Sequence, residues 1–81
     1  MNVVEFAEYL VKSIVAEPDL VKVSLFQADE DISILEILVP SDDMGRVIGK
    51  NGKMSTSIRT LIQAYAAINK MPKVKINIDS F

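Results

Sequence analysis

Cysteine and histidine are both missing from the 81 residues of this chain. Without cysteine there is no disulfide framework, no thiol nucleophile and no thiolate metal site. Without histidine the commonest general base and the commonest zinc ligand are gone. What remains for catalysis is thin: Ser55 and Ser57 have no visible base to activate them. The acidic run Asp29-Glu30-Asp31 reads as a solvated turn and not as converging metal ligands. No enzymatic activity, no cofactor and no metal site is therefore expected. Long apolar runs are missing too. Glu5, Glu8 and Lys12 interrupt the N-terminal segment, which reads neither as a signal peptide nor as a membrane span. The absence of cysteine fits a cytoplasmic protein.

The length suits one domain, residues 1–81, with a single thin core and little room for a deep pocket. Hydrophobic residues make up 49% of the chain, enough to fold without staples. The formal net charge of -2 argues against an anionic partner only if charge is spread evenly, and it is not. Residues 1–43 hold ten acids and two bases, Lys12 and Lys22, whereas residues 44–78 hold seven bases and no acid. Those bases are Arg46, Lys50, Lys53, Arg59, Lys70, Lys73 and Lys75. A chain so divided carries a polarised field, and local potential governs an anionic ligand more than the total does.

Hydrophobic periodicity gives the elements. After a potential cap at Asn2, Val3, Phe6, Ala7, Leu10, Val11 and Ile14 mark one face of a helix that Pro18 ends. Val21, Val23 and Leu25 alternate with polar residues as a half-buried strand. A turn over residues 28–31 leads to a second strand from Ile32 to Val39, with Leu35, Ile37 and Val39 facing the core. Ile34 and Leu38 then lie on the opposite face, and with Tyr9 and Phe26 they are candidates for an exposed partner surface. A short helix over Asp43 to Ile48 follows Pro40, with Ser41 or Asp42 as its cap and the Asp42-Asp43 pair read as capping its start and favouring its dipole. A longer helix runs from Lys53 or Met54 to about Asn69, its buried stripe being Met54, Ile58, Leu61, Ile62, Tyr65 and Ile68. Beyond Pro72, Val74, Ile76 and Ile78 alternate with Lys73, Lys75 and Asn77 in a last strand. The order is α-β-β-α-α-β, an α+β fold. The expected sheet is mixed and three-stranded, with a hairpin, a parallel crossover pair and three helices on one face.

All three glycines, Gly45, Gly49 and Gly52, fall within eight residues at the entry to the longest helix. Glycine allows positive φ and lets another molecule approach the backbone. The following helix start presents free N–H groups and partial positive charge, which together suit phosphate. Lys50 and Lys53 add full charges beside it. The spacing excludes a Walker A loop and a dinucleotide fingerprint. A DNA-binding helix-turn-helix fits poorly, because the helix after the loop is mostly apolar beyond Arg59.

The segment Val47-Ile48-Gly49-Lys50-Asn51-Gly52 between two helices, inside this element order, resembles a KH domain of the type II topology. The longer run from Asp42 to Lys50 and the segment Ser57-Ile58-Arg59-Thr60 resemble, more narrowly, the KhpA family of small bacterial single-KH RNA-binding proteins. The resemblance implies binding of single-stranded RNA, about four nucleotides of it, by the backbone of Gly49, Lys50, Asn51 and Gly52. Lys53 would neutralise phosphate with Lys50, and Arg46 and Arg59 are candidates for flanking phosphates or base edges. Val47, Ile48 and Ile58 would form an apolar floor. No aromatic sits in or beside the loop, so weak binding and loose sequence preference are expected from one copy. The resemblance further implies a homodimer or a complex with the larger KH-containing protein KhpB, an RNA-chaperone role, and links to cell-wall homeostasis and cell length. A KH-shaped protein-interaction module that uses its sheet face remains the alternative.

Overall fold

The computed structural model describes residues 1–81. Helix α1 spans Val3–Lys12 and begins with a reciprocal cap: Asn2 Oδ1 accepts from the Glu5 N–H at 2.8 Å, and Glu5 Oε1 accepts from the Asn2 N–H at 3.1 Å. It stops well short of Pro18. Past Ser13 the chain turns, and the N–H groups of Ala16 and Glu17 donate to the Asp43 carboxylate at 2.9 and 3.3 Å rather than back into the helix. The expected role of Asp43 as a cap is corrected by the same contacts. Its side chain makes no capping bond to the short helix it precedes. It is 1% exposed and ties the α1–β1 connection to that helix.

Strands β1 (Lys22–Asp29) and β2 (Ile32–Val39) form an antiparallel hairpin, and β3 (Lys73–Ser80) pairs with β2 in parallel. The order β1-β2-β3 puts β2 at the centre and leaves β3 an edge strand. Helices α2 (Met44–Ile48) and α3 (Lys53–Ile68) make the crossover, and with α1 they cover one face of the sheet. Leu35, Ile37 and Val39 are fully enclosed there. The register places Leu25 and Val23 beside Leu35 and Ile37 on one side, and Ile76 and Ile78 beside them on the other.

Two details depart from the sequence reading. Leu25, expected on the half-buried face of β1, is exposed, whereas Phe26 is exposed as expected; the molecule is elongated, 35 × 21 × 21 Å. The α3 stripe is also narrower than expected. Ser55, Ile58, Ile62 and Ala66 are buried, at a spacing of i, i+3, i+7 and i+11. Met54, Leu61 and Ile68 are exposed. Only one face of α3 meets the sheet. On the flank, Phe6 of α1 stacks on Tyr65 with ring centroids 4.6 Å apart, and the Tyr65 hydroxyl donates to the Met1 carbonyl. Leu61 and Ile68 lie outside that cover. No helix is long and apolar enough to cross a membrane.

Candidate nucleic-acid interface

The loop between α2 and α3 is one tight turn, Lys50–Gly52. Gly49 ends α2 with φ 74 and ψ 177, backbone angles that need glycine. A Cβ at Gly49 would stand 2.5 Å from the Met54 Cβ and 2.9 Å from the Met54 N, so the turn is packed against its own following helix. Asn51 (φ 57) and Gly52 (φ 73) are both left-handed, a conformation Asn tolerates better than most residues. A Cβ at Gly52 would meet nothing within 4 Å. Its surroundings are open where those of Gly49 are filled.

Gly52 is the N-cap of α3, and no side chain caps the helix start. Ser55 and Thr56 donate their hydroxyls to the Gly52 carbonyl instead, at 3.1 and 3.0 Å. The positive end of a four-turn helix is thus left without a side-chain acceptor, and Lys50, Asn51 and Lys53 are exposed around it.

A cleft lies further along the same helix. Gly52, Thr56, Arg59 and Gln63 recur at i, i+4, i+7 and i+11, which sets them along one side of α3. Arg59 and Gln63 of that side lie beside β3. Between them lies an open cleft of ≈ 420 Å³ lined by Arg59 and Gln63 of α3, Ile34 of β2, and residues 73–77 of β3. It holds three cations, Arg59, Lys73 and Lys75, and no carboxylate. Ile34 and Ile76, both half-buried, give it apolar surface over the buried Val74, and Gln63 and Asn77 give it amides that donate and accept. An edge strand also presents unpaired backbone N–H and C=O groups.

The sequence-predicted residues are only partly brought together. Gly49, Lys50, Asn51, Gly52 and Lys53 form the loop and helix start, and Arg59 lines the cleft. Arg46 lies on α2, where its Nη1 donates to Asp43 Oδ1 at 3.2 Å, with the guanidinium still about half exposed. The apolar floor is corrected. Val47 is fully enclosed and Ile58 is 3% exposed, so both support the loop from beneath and offer a base no surface. Ile48 is half-buried. The surface that sequence reasoning missed is the β3 edge. Lys73 and Lys75 were visible as members of the basic half, but which strand lies at the edge beside α3 is a matter of topology.

The element order, the mixed β1-β2-β3 sheet and a G-x-x-G turn between the two crossover helices define a type II KH domain. The chain belongs to the KhpA/KhpB KH-domain family, whose model matches residues 4–78. It is 43% identical over 74 residues to the RNA-binding protein KhpA of Clostridium perfringens, covering 91% of this chain and 96% of that protein. It is 39% identical over 66 residues to RNA-binding protein KhpA of Borreliella burgdorferi, covering 82% and 79% respectively. Among solved structures it is similar in fold to Era, crystallised with MgGDPNP and nucleotides 1506–1542 of 16S ribosomal RNA. The TM-score is 0.68 at 16% identity, over 98% of this chain and 30% of Era.

Proposed function

We propose that this chain is a cytoplasmic RNA-binding domain that grips short single-stranded RNA between the Gly49–Gly52 turn and the α3/β3 cleft. The observation that carries the reading is that the two lie along one side of α3. An uncapped helix start with exposed Lys50 and Lys53 leads along one side of α3 into a cleft with three cations and no acid. The turn and its lysines bind the sugar-phosphate backbone. The β3 edge, Gln63 and Asn77 meet base edges, and Ile34 and Ile76 meet base faces. The relatives named RNA-binding protein KhpA support the same ligand class.

The cleft has no aromatic to stack a base, and stacking is worth about 1–3 kcal/mol per base where present. One copy therefore binds weakly and with loose sequence preference, as suits an RNA chaperone. A second KH unit, in a homodimer or in a larger KhpB-type protein, raises affinity through effective concentration. The exposed Tyr9, Leu61 and Ile68 on the helical side leave apolar surface for such a partner.

Fluorescence anisotropy with a labelled single-stranded RNA tests the reading. For the native protein, raising salt from 50 to 200 mM weakens binding by on the order of tenfold or more if three or four phosphates are neutralised. A Lys50→Asp, Asn51→Asp double variant loses binding at both salt concentrations while keeping its fold. Equal binding by the two proteins would remove the turn from the site.

A further inference from the structure

Helix α3 ends in a Schellman motif. The Met71 N–H donates to the Ala66 carbonyl at 2.9 Å and the Lys70 N–H to the Ala67 carbonyl at 3.1 Å, with Lys70 left-handed at φ 56. This geometry folds Met71 back over the last turn of the helix, and Pro72 stiffens the passage into β3. The result is a second cleft of ≈ 240 Å³ at the same α3/β3 seam. It shares Gln63, Lys73 and Val74 with the first cleft, and its remaining wall is Ala66, Ala67, Met71 and Pro72.

The two clefts differ in chemistry. The first carries three cations and suits a charged backbone with its bases. The second is apolar apart from Gln63 and from Lys73 at the boundary the two share. A flat, weakly polar group tethered to a phosphate fits that arrangement: the group enters among Ala67, Met71 and Pro72, and its phosphate stays beside Lys73.

Reach decides which nucleotide this is. Along α3, at ~1.5 Å per residue, Gln63 lies about 16 Å and Ala67 about 22 Å from Gly52. Four nucleotides span three steps, and stretched to about twice the ~3.4 Å per-strand spacing of duplex DNA they reach about 20 Å. A four-nucleotide strand gripped at the turn thus fills the first cleft and ends at the mouth of the second.

Resting on the RNA-binding reading above, we propose that the second cleft is an additional nucleobase subsite, so that the domain covers about five nucleotides rather than the four that a KH turn clamps. The Schellman turn builds the pocket before RNA arrives, so little ordering is needed to fill it.

The test is anisotropy with labelled single-stranded RNAs of four, five and seven nucleotides, using the native protein and the variants Ala67→Gln and Ala67→Glu. Ala67 is exposed and both replacements are good helix formers, so circular dichroism and the melting curve stay native. The expected result is roughly tenfold tighter binding at five nucleotides than at four, with no comparable further gain at seven. Both variants erase that gain while binding the four-nucleotide RNA as the native protein does. Native affinity that is flat from four to five nucleotides, or that climbs equally again from five to seven, overturns the subsite and leaves the RNA reading standing. A gain lost in Ala67→Glu but kept in Ala67→Gln assigns the effect to charge at a distance and also overturns it. No binding at any length overturns the RNA reading itself, and the subsite with it.

Discussion

The two ends of α3 are both turned by residues with positive φ, yet only one end uses glycine. At the start, Gly49 (φ 74) and Gly52 (φ 73) flank the left-handed Asn51; at the finish, Lys70 (φ 56) does the same work with a long side chain. A left-handed residue is therefore not what demands glycine in this molecule. Gly49 is required because Met54 occupies the space a side chain needs, and because ψ 177 at positive φ is closed to other residues. Gly52 has neither excuse: its φ resembles that of Lys70, and a Cβ there would meet nothing. The glycine at Gly52 keeps the backbone bare beside an uncapped helix start, and bare backbone is what a close-lying phosphate chain needs.

That contrast can be broken by substitution. The largest effect is expected for Gly49→Ala, where left-handed strain and the collision with Met54 combine to about 3–5 kcal/mol, enough to unfold much of a small domain. Urea denaturation reads it, and a loss below about 1 kcal/mol would mean that the turn relaxes and Gly49 is not sterically required. Gly52→Ala should lose only about 1 kcal/mol, from φ alone. Its RNA affinity should fall by more than that of a surface variant of equal stability. An unchanged affinity would make Gly52 a mere connector. Lys70→Gly is the smallest change. Relief of the left-handed strain is nearly offset by the greater freedom of glycine in the unfolded chain, leaving a net gain of about 0.5 kcal/mol in the melting curve. A clear destabilisation would show that the Lys70 side chain holds the turn.

Much of the framework was readable because each signal is local. The period-2 run from Ile32 to Val39 and the clustered glycines depend on neighbours a few residues away, and β2 and the turn lie where those patterns put them. The misreadings share a cause as well. Met54, Leu61 and Ile68 are as apolar as Ile58 and Ile62, and periodicity cannot say how wide a stripe a single thin sheet and one flanking helix can cover. Asp43 looks like a helix cap in sequence, but its partners Ala16 and Glu17 lie 27 and 26 residues away, a pairing no local pattern encodes. Val47 and Ile58 were expected at the surface of the floor because they flank the turn. The interior took them because they are the side chains that hold the turn to the sheet.

The order of elements, the polarised charge and the glycine-bracketed turn were determined by the sequence itself, since each follows from short-range sterics, hydrophobic period and the count of charges. The cleft was decided by tertiary structure alone. Lys73 and Lys75 come to line one cleft with Arg59 only because the helical crossover lays β3 parallel to β2 at the sheet edge beside α3. Residues 14 and 16 positions apart in the chain are thereby made into one cationic surface, by packing that no local pattern specifies.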